Sequence, residues 1–580
     1  MVGHIYLEDG RDIAFFTDKT WEIRINPCFV SFFDYDNTLA IPKFERAKEV
    51  NTKWGLTLAN INLPIDEEIK FNNSFKVKNN ASKSFKVDFP VIYCAYFAIE
   101  VKCHGLVKFD LTFFETENKK SHLRKLTFDH SDYYRNFDPE SLGGFELSID
   151  NQSSEEVEVI IHVFHCHYPY KEFRQIKTNN NRLNDLFDKC KFAAINCSQS
   201  IFLDSPKHLE PLSSCMGDYQ IISLLSSFAS GDYELSEHVL RGCTYALSTN
   251  KGLCANLSYA LIYISWLYKI YMFTGDRNLL RDCLPGVEAV NKKFFTFIGE
   301  NGLIDRPNTY CFVDWLCVDG FSLFAPPKAL GQSVFNMFYY EALNCTSKIY
   351  TALKDEKLAK KYSNRAKKMK KAINSQLFDA DRGLYIEGLP TPNPPGLKDP
   401  EINKGIPENI NKVYYRKHAN ILAVAYGLAN KKTSKSIIHK IFNELWDLEI
   451  QPYFAYYLFE AIHAADLDNK YCMKLVKWWL TFVKIKDKGL PEGVYKPEPA
   501  YEFDYSHAWA CSPYYGFILG ASNIKILEPG MRKISLNLHS FGLKEYSYSI
   551  GTPYGFIEIT KNLNEEPKVV APKEIEIVFN

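Results

Sequence analysis

The segment Leu257-Ser-Tyr-Ala-Leu-Ile-Tyr-Ile-Ser-Trp-Leu-Tyr-Lys-Ile-Tyr-Met-Phe273 is the most informative part of this 580-residue chain for its fold class. Apolar residues recur around its whole circumference at helical spacing, and Lys269 is its single charged residue. A helix that is apolar on every side is normally enclosed by other helices. The interrupting lysine argues against a membrane span. The segment therefore predicts an inner helix of a helical domain.

The same pattern repeats on both sides of this segment. The sequence predicts twelve helices, at 181–200, 217–229, 233–247, 256–274, 276–299, 328–353, 355–377, 415–430, 432–446, 451–465, 467–485 and 506–522. The even-numbered helices are apolar nearly all round, whereas the odd-numbered helices carry a polar stripe, most plainly from Lys357 to Lys371. Links from even to odd helices are very short, so each such pair packs as an antiparallel hairpin. Six hairpins predict an (α/α)6 barrel over residues 176–524, with every odd-to-even link at one end.

The regions that flank the barrel alternate with period two, which is typical of strands. Examples are Val107-Lys-Phe-Asp-Leu-Thr-Phe and Val157-Glu-Val-Ile-Ile-His-Val-Phe before the barrel, and Lys533-Ile-Ser-Leu-Asn-Leu after it. Residues 1–175 are predicted to form an N-terminal β-sandwich and residues 525–580 a small C-terminal β-domain. The predicted fold class is multidomain α and β.

Composition restricts the function classes. The formal net charge is +0, from 69 basic and 69 acidic residues, which argues against a nucleic-acid partner. The 15 cysteines contain no CxxC pair, as expected of buried thiols in a reducing compartment. The N-terminus lacks a basic start followed by an apolar run. These features predict a cytoplasmic protein without a membrane segment.

Acidic and histidine side chains concentrate in the odd-to-even links. The stretch Asp204-Ser-Pro-Lys-His208-Leu-Glu210, continuing to Asp218, joins the first two helices. Asp314 and Trp315 lie between the fifth and sixth, and Glu492 to Trp509 between the eleventh and twelfth. Because these links share one end of the barrel, we expect them to form one site. Cleavage of a glycosidic bond requires one carboxyl group as proton donor and another that activates water or attacks carbon.

Each of these residues also has a plainer interpretation. Leu209 and Pro211 give Glu210 an apolar setting, which would raise its pKa as a proton donor requires, but the sequence alone favours an exposed loop glutamate. Asp204 could be a turn residue and Asp218 an acid favoured by a helix N-terminus. Trp315 could be a buried structural residue, and His507 a capping histidine.

Other chemistries find less support. The chain has no GxSxG elbow, no P-loop and no HExxH motif. His165-Cys166-His167 lies in a predicted strand, where adjacent side chains point to opposite faces, so the three cannot converge on a metal ion. The lysine-rich run from Lys367 to Lys371 indicates the solvent-exposed face of an outer helix. The chemistry expected of this chain requires neither a metal nor an organic cofactor.

Several motifs, taken in order, resemble the bacterial α-L-rhamnosidases of glycoside hydrolase family 78, which belong to the six-hairpin glycosidase group. The resemblance covers nearly the whole chain. The motifs are Thr17-Asp-Lys-Thr-Trp21, Asp204 to Asp218, Trp266 to Asp276, Lys417-His-Ala-Asn420 and Ser506-His-Ala-Trp509. The chain departs from the family at two places. Leu209 stands where an arginine is usual, and Ser213-Ser-Cys-Met-Gly-Asp218 is one residue longer than the family's Gly-Trp/Tyr-Thr-Gly-Asp ending.

This resemblance implies an inverting glycoside hydrolase that removes a terminal non-reducing α-L-rhamnose-like sugar. It implies Glu210 as the general acid and a glutamate before the last helix as the general base. Glu492 is the first candidate for the base, with Glu502 and Glu498 as alternatives. The residues expected to bind substrate are Asp204, His208, Asp218, Asp314, Trp315, His507 and Trp509.

Two other functions stay open at this stage: a six-hairpin hydrolase with a different sugar preference, and a non-catalytic carbohydrate-binding relative. In each case the expected partner is a carbohydrate or glycoside, and neither nucleic acid nor membrane is expected. A homodimer is an open possibility for the assembly.

Overall fold

The computed structural model describes residues 61–579 with gaps at 117–118, 122, 209–211, 306, 308–310, 391, 400–403, 444–449 and 497–501, together with short segments before residue 61. Glu210, Glu498 and the Thr17–Trp21 motif lie outside the described residues. The chain divides into two compact units: Met1–Asn60 with Asp66–His165, and Ile61–Ile65 with Cys166–Asn580. The predicted domain boundaries at 175 and 524 stay predictions.

The first unit consists of strands. Their bounds are β1 Val2–Tyr6, β2 Asp12–Phe16, β3 Glu22–Ile23, β4 Tyr35–Asp36, β5 Glu45–Arg46, β6 Ile65–Glu68, β7 Ser74–Val77, β8 Ala81–Thr116, β9 Lys119–Lys120, β10 Arg124–Arg135, β11 Glu140–Asn151 and β12 Val157–His167. β10, β8, β12 and β6 are neighbours in one sheet, and β11 pairs with two parts of β8, so that Phe145 faces both Val87 and Phe113. Alternate side chains of β12 are buried, as the period-two pattern predicts. An arrangement as a sandwich stays a prediction.

The second unit contains twelve α-helices among its described residues, as the sequence predicts. They are α1 Asn181–Asn196, α2 Met216–Ser230, α3 Glu234–Thr249, α4 Leu257–Thr274, α5 Arg277–Phe295, α6 Lys328–Ala352, α7 Glu356–Gln376, α8 Lys417–Ala425, α9 Lys431–Asn443, α10 Pro452–Ala464, α11 Asp468–Trp479 and α12 Ser512–Ser522. The final predicted helix begins late, because a 3₁₀ helix, Ala508–Cys511, precedes α12 and Pro513 occupies its first turn. His507 therefore precedes that 3₁₀ helix and is not in the first turn of the last helix.

The even-numbered helices form a closed inner ring. Each contacts the next in the order α2, α4, α6, α8, α10, α12, and α12 returns to α2. Every residue of α12 is buried, as is every residue of α2 except Ser230, whereas α7 buries a single narrow stripe. The predicted alternation of inner and outer helices is therefore confirmed: five consecutive even-to-odd pairs, together with α12 packed against α1, close into a barrel.

Short turns join the helices of most hairpins. Gly231 and Gly275 end α2 and α4 with φ angles of 67° and 72°, a left-handed conformation that glycine adopts without strain. Asp276 then caps α5 by accepting hydrogen bonds from the backbone N–H groups of Asn278 and Leu279. Because the even-to-odd turns are so short, the long links all emerge at the other end of the barrel.

The remaining strands of this unit are short. They are β13 Lys177–Thr178, β14 Cys317–Val318, β15 Phe321–Ser322, β16 Phe378–Asp379, β17 Leu384–Tyr385, β18 Lys398–Asp399, β19 Lys404–Gly405, β20 Lys525–Ile526, β21 Lys533–Leu536, β22 Tyr546–Thr552, β23 Gly555–Lys561, β24 Lys568–Val570 and β25 Glu576–Phe579. The C-terminal strands make two small sheets, β13-β22-β23-β24 and β20-β21-β25, and β22 packs on α2. None of the described helices combines the length and apolar character needed to span a bilayer.

Candidate active site

One cavity of about 340 Å³ opens where four of the odd-to-even links meet. It is lined by Asp204, His208, Ser214, Cys215, Asp218, Ala255, Asn256, Tyr259, Phe312, Trp315, Glu492, His507 and Trp509. The structure thus brings seven of the predicted site residues together: Asp204, His208, Asp218, Trp315, Glu492, His507 and Trp509. The carboxylates come from links that are far apart in sequence.

A histidine joins the first of these links to the last. His208 places Nδ1 3.0 Å from Oδ2 of Asp204 and Nε2 3.4 Å from Oδ2 of Asp504. Both aspartates are buried, whereas the side chain of His208, which lines the cavity, is 41% exposed. Asp204 also accepts a hydrogen bond from the backbone N–H of Ser205 at 2.7 Å. The His208 ring therefore fixes two carboxylates of different loops relative to each other.

Asp218 lies in the first turn of α2 and is 1% exposed. The Tyr259 hydroxyl donates a hydrogen bond to its Oδ2 at 3.3 Å, and Nδ1 of His507 lies 3.7 Å from its Oδ1. Burial raises the pKa of Tyr259 well above its usual value, so the phenol keeps its proton and acts as a donor. Asp218 is consequently held with its carboxylate toward the cavity by two neighbours.

Aromatic rings form one wall of the cavity. The rings of Phe312 and Trp509 are nearly parallel, with centroids 6.2 Å apart and an interplanar angle of 8°. His507 packs against Trp509 at 4.3 Å, and Trp315 stands edge-on to Phe324. Flat apolar faces beside carboxylates suit a ligand with both CH groups and hydroxyls.

Glu492 is placed by backbone hydrogen bonds on either side of it. Its N–H donates to the carbonyl of Asp504 at 2.7 Å, the N–H of Asp504 donates to Oε2 of Glu492 at 3.3 Å, and Nε1 of Trp509 donates to the Glu492 carbonyl at 2.8 Å. Glu502, by contrast, is exposed and is not among the residues that line the cavity. Of the described candidates for a general base, Glu492 is the one at the cavity.

Asp314 lies behind the aromatic wall of the cavity and does not line the cavity itself. Its carboxylate has no exposed surface, and it accepts hydrogen bonds from Nε2 of His418 at 2.9 Å and from the backbone N–H of Gln451 at 3.0 Å. Burial lowers the pKa of His418, so the neutral imidazole is the donor. This placement differs from the expected direct contact with sugar hydroxyls, because Oδ2 accepts both of these hydrogen bonds and Oδ1 accepts one from the backbone N–H of Trp315 at 2.9 Å. Asp314 positions its neighbour Trp315.

Several residues at or behind the cavity were missed by sequence reasoning: Cys215, Asn256, Tyr259, Phe312, Gln451 and Asp504. Asn256 could have been found, since an asparagine directly before an apolar helix is an N-cap signal and inner-helix N-termini face the mouth. No sequence feature around Gln451 indicated that it belongs to the site. It is fully buried, donates to the carbonyl of Trp315 at 2.7 Å and accepts the N–H of Val494 at 2.8 Å, which ties the Glu492 loop to Trp315.

The ring of inner helices, with the cavity at its mouth, is the architecture of the six-hairpin fold. Residues 171–445 match the family model of the bacterial alpha-L-rhamnosidase 6 hairpin glycosidase domain. This match confirms, over residues 171–445, the resemblance found in the sequence. Comparison with curated proteins gave no significant match.

Solved structures show the same fold. A rhamnosidase of family 78 from Bacillus sp. GL1 superposes with a TM-score of 0.74 at 14% identity, covering 90% of this chain and 55% of that one. The α-L-rhamnosidase of Dictyoglumus thermophilum gives 0.73 at 16%, covering 99% and 66%. That of Streptomyces avermitilis, solved with L-rhamnose, gives 0.70 at 12%, covering 99% and 57%. The present chain thus spans little more than half the length of the Bacillus protein.

Proposed function

We propose that this chain is an inverting glycoside hydrolase that removes one terminal non-reducing α-L-rhamnose-like sugar from a glycoside. The observation that carries the proposal is the cavity at the barrel mouth, where Glu492, Asp204 and Asp218 face an aromatic wall. Its volume of about 340 Å³ is at the small end of the range for ligand sites, which suits a single sugar residue. No metal or organic cofactor enters this mechanism.

Glu210 is assigned the role of general acid, which gives its proton to the glycosidic oxygen as the bond from the anomeric carbon to that oxygen breaks. Glu210 lies outside the described residues. Support for its assignment comes from its neighbours in the chain: His208 and Ser214 both line the cavity, so the segment that carries Glu210 begins and ends there.

Glu492 is assigned the role of general base. It takes a proton from a water molecule that attacks the anomeric carbon from the opposite face, which inverts the configuration. Such a pair of carboxyl groups works at a separation of about 6.5–9.5 Å, which leaves room for the water. Glu498 and Glu502 are the alternative bases. The exposed position of Glu502 favours Glu492 over it.

The other residues of the cavity are assigned to holding the sugar. Asp204 and Asp218 accept hydrogen bonds from hydroxyl groups, with His208 and His507 holding these carboxylates in place. Trp315 and Trp509 pack against the apolar edge of the ring. The cytoplasmic location belongs to the same proposal, and it is supported by the lack of any disulfide among the described cysteines, most of which are buried.

The test is hydrolysis of a panel of nitrophenyl glycosides by the wild type, Glu210→Gln, Glu492→Gln and the control Glu502→Gln. We expect release from the α-L-rhamnoside, a loss of about 10²- to 10⁴-fold in each of the first two variants, and little change in the control. Proton NMR of the first product should show inversion at the anomeric carbon.

Other outcomes select the other functions. Release from a different glycoside would indicate a hydrolase with another sugar preference. If wild type cleaves none of the panel yet binds a sugar, and Glu210→Gln binds it equally, the chain is a non-catalytic carbohydrate-binding protein. Loss of activity in Glu502→Gln instead of Glu492→Gln would move the base to Glu502.

A further inference from the structure

A second cavity, of about 620 Å³, lies at the opposite end of the barrel from the candidate active site. Helix α4 connects the two: it begins after Asn256, which lines the first cavity, and ends at Gly275, which lines the second. An α-helix of 18 residues is about 27 Å long. A monosaccharide in the first cavity therefore does not reach the second, and the proposed hydrolysis does not explain it.

Three arginines from two parts of the chain line this second cavity. Arg277 and Arg281 are one helical turn apart at the start of α5, and Arg532 follows the turn Pro529–Met531. Residues four apart lie on the same helix face, and both of these side chains line the cavity, where Nη1 of Arg281 also donates to Oδ1 of Asn278 at 2.6 Å. Within the part of the chain that the structure describes, none of the three arginines forms an ion pair.

The acidic groups nearby are engaged elsewhere. Asp276 caps the N-terminus of α5, and Asp282 forms a 3.0 Å ion pair with Arg241, which does not line the cavity. Glu528 is exposed and is the carboxylate among the lining residues, so three arginines face one acid. The cavity therefore carries a net positive charge on a chain whose overall charge is +0.

The floor of this cavity is fixed by close backbone packing. Gly275 and Gly530 both have positive φ angles, and a Cβ added to Gly275 would lie 3.2 Å from the backbone of Gly530. The Arg532 guanidinium lies over the ring of Tyr554, 5.5 Å from its centroid, while Tyr271 is buried beneath. The arginines are thus attached to two turns held at a constant separation, with aromatic and proline surface between them.

We propose that this cavity binds a small polyanion, a ligand with at least two carboxylate or phosphate groups. A guanidinium group presents paired N–H donors that match the two oxygens of either group. Each pairing at an exposed arginine is weak by itself, so a ligand must engage several to be retained. This requirement excludes simple monoanions and selects ligands that span Arg277, Arg281 and Arg532 together.

The test is isothermal titration of the whole protein with inorganic pyrophosphate, with citrate and, as a monoanion at equal ionic strength, with acetate. We expect pyrophosphate or citrate to bind and acetate not to bind, and whichever of the two binds more tightly identifies phosphate or carboxylate as the preferred group. The combined variant R277Q/R281Q/R532Q should raise the Kd at least about tenfold. A matched variant, K360Q/K367Q/K368Q, removes the same charge from exposed positions of α7 and should leave the Kd unchanged.

Equal weakening in both combined variants would reduce the effect to overall charge and overturn the proposal. Binding of acetate as tightly as the polyanions, or no binding of any probe to wild type, would overturn it too. Circular dichroism checks that the arginine variant is folded. Because the two cavities lie at opposite ends of the barrel, the arginine variant should cleave glycosides like wild type, so this proposal and the proposed hydrolysis fail independently.

Discussion

Nε2 of His418 lies 2.9 Å from Oδ2 of Asp314, and neither side chain has any exposed surface. Burial lowers the pKa of His418, so its neutral ring donates this hydrogen bond. The backbone N–H of Gln451, directly before α10, donates to the same oxygen at 3.0 Å. The Asp314 carboxylate thereby joins the starts of two inner helices behind the cavity wall that Trp315 forms.

Replacing Asp314 by Asn should weaken both hydrogen bonds, because an amide oxygen is a poorer acceptor than a carboxylate. Hydrogen bonds to charged groups contribute about 1.5–3 kcal/mol and neutral ones about 0.5–1.5, so the free energy of unfolding should fall by about 1–2 kcal/mol. Urea denaturation measures this. Glu300→Gln, at an exposed acid of the same link, is the control and should change stability by less than about 0.5 kcal/mol. Equal losses in the two variants would show that the buried hydrogen bonds of Asp314 do not contribute to the free energy of unfolding.

Glu387 makes stability depend on pH. It is 1% exposed and accepts a hydrogen bond from the N–H of Ala419 at 3.0 Å, and burial raises its pKa from 4.5 to about 7. The folded protein keeps a proton that the unfolded chain releases, so the stability this group contributes is full below pH 4.5 and is lost as pH rises through about 7. The shift corresponds to about 3 kcal/mol.

Glu387→Gln should remove that dependence. The variant should be more stable than wild type at pH 8, by up to about 3 kcal/mol, and should match wild type near pH 4.5. Denaturation at the two pH values tests this, with the exposed first-turn residue Glu356 changed to Gln as the control. A stability difference that is the same at both pH values would contradict the assigned protonation of Glu387.

His208 should matter for catalysis more than its neighbour Lys207. Both side chains contact Asp504, Lys207 at 3.3 Å and His208 at 3.4 Å, but His208 also hydrogen-bonds Asp204 at 3.0 Å. Loss of hydrogen bonds to buried charged groups predicts that His208→Gln lowers kcat/KM by about 10- to 100-fold. An exposed ion pair contributes little, so Lys207→Gln should change kcat/KM by less than about fivefold. Equal effects would mean that the contact of His208 with Asp204 does not contribute to catalysis.

The barrel could be predicted from the sequence because its helices differ in exposure. A helix such as α12, buried at every residue, and a helix such as α7, with one buried stripe, leave different hydrophobic patterns. Loop lengths then gave the hairpins and the shared mouth. Helix ends were less predictable: α11 ends at Trp479, before the predicted 485, since the residues that follow it keep an apolar pattern in a turn.

The details of the site could not be predicted, because they depend on contacts between distant links. Nothing near Asp314 in the chain indicates that His418 and Gln451 donate to its Oδ2, so its carboxylate was expected in the cavity. Likewise the sequence placed Glu492 first as the base but left Glu502 open, and the two differ in burial, with Glu492 buried and Glu502 exposed. The hydrophobic pattern of a segment indicates which face of a helix or strand is apolar. It does not indicate which polar side chains from distant loops will contact each other in the barrel.

Gln451 gives the sharpest test of how the cavity is supported. Its side chain bonds the carbonyls of Trp315 and Tyr495 and the N–H groups of Val494 and Tyr495, so it connects the loop of Glu492 to the aromatic wall. Gln451→Leu would leave these backbone groups unsatisfied and free that loop to move. We expect kcat to fall about 10- to 100-fold, as for a misplaced catalytic group.

A second buried glutamine supplies the control for this prediction. Gln332 bonds the carbonyl of Ile304 and the N–H of Leu389, also joining two loops, but it does not line or support the cavity. Because both substitutions strand buried backbone groups, each should lower the free energy of unfolding by about 1–3 kcal/mol or more. Only Gln451→Leu should lower kcat in the folded protein. If Gln332→Leu lowers kcat as much, the loss reflects general loosening of the barrel and not the position of Glu492.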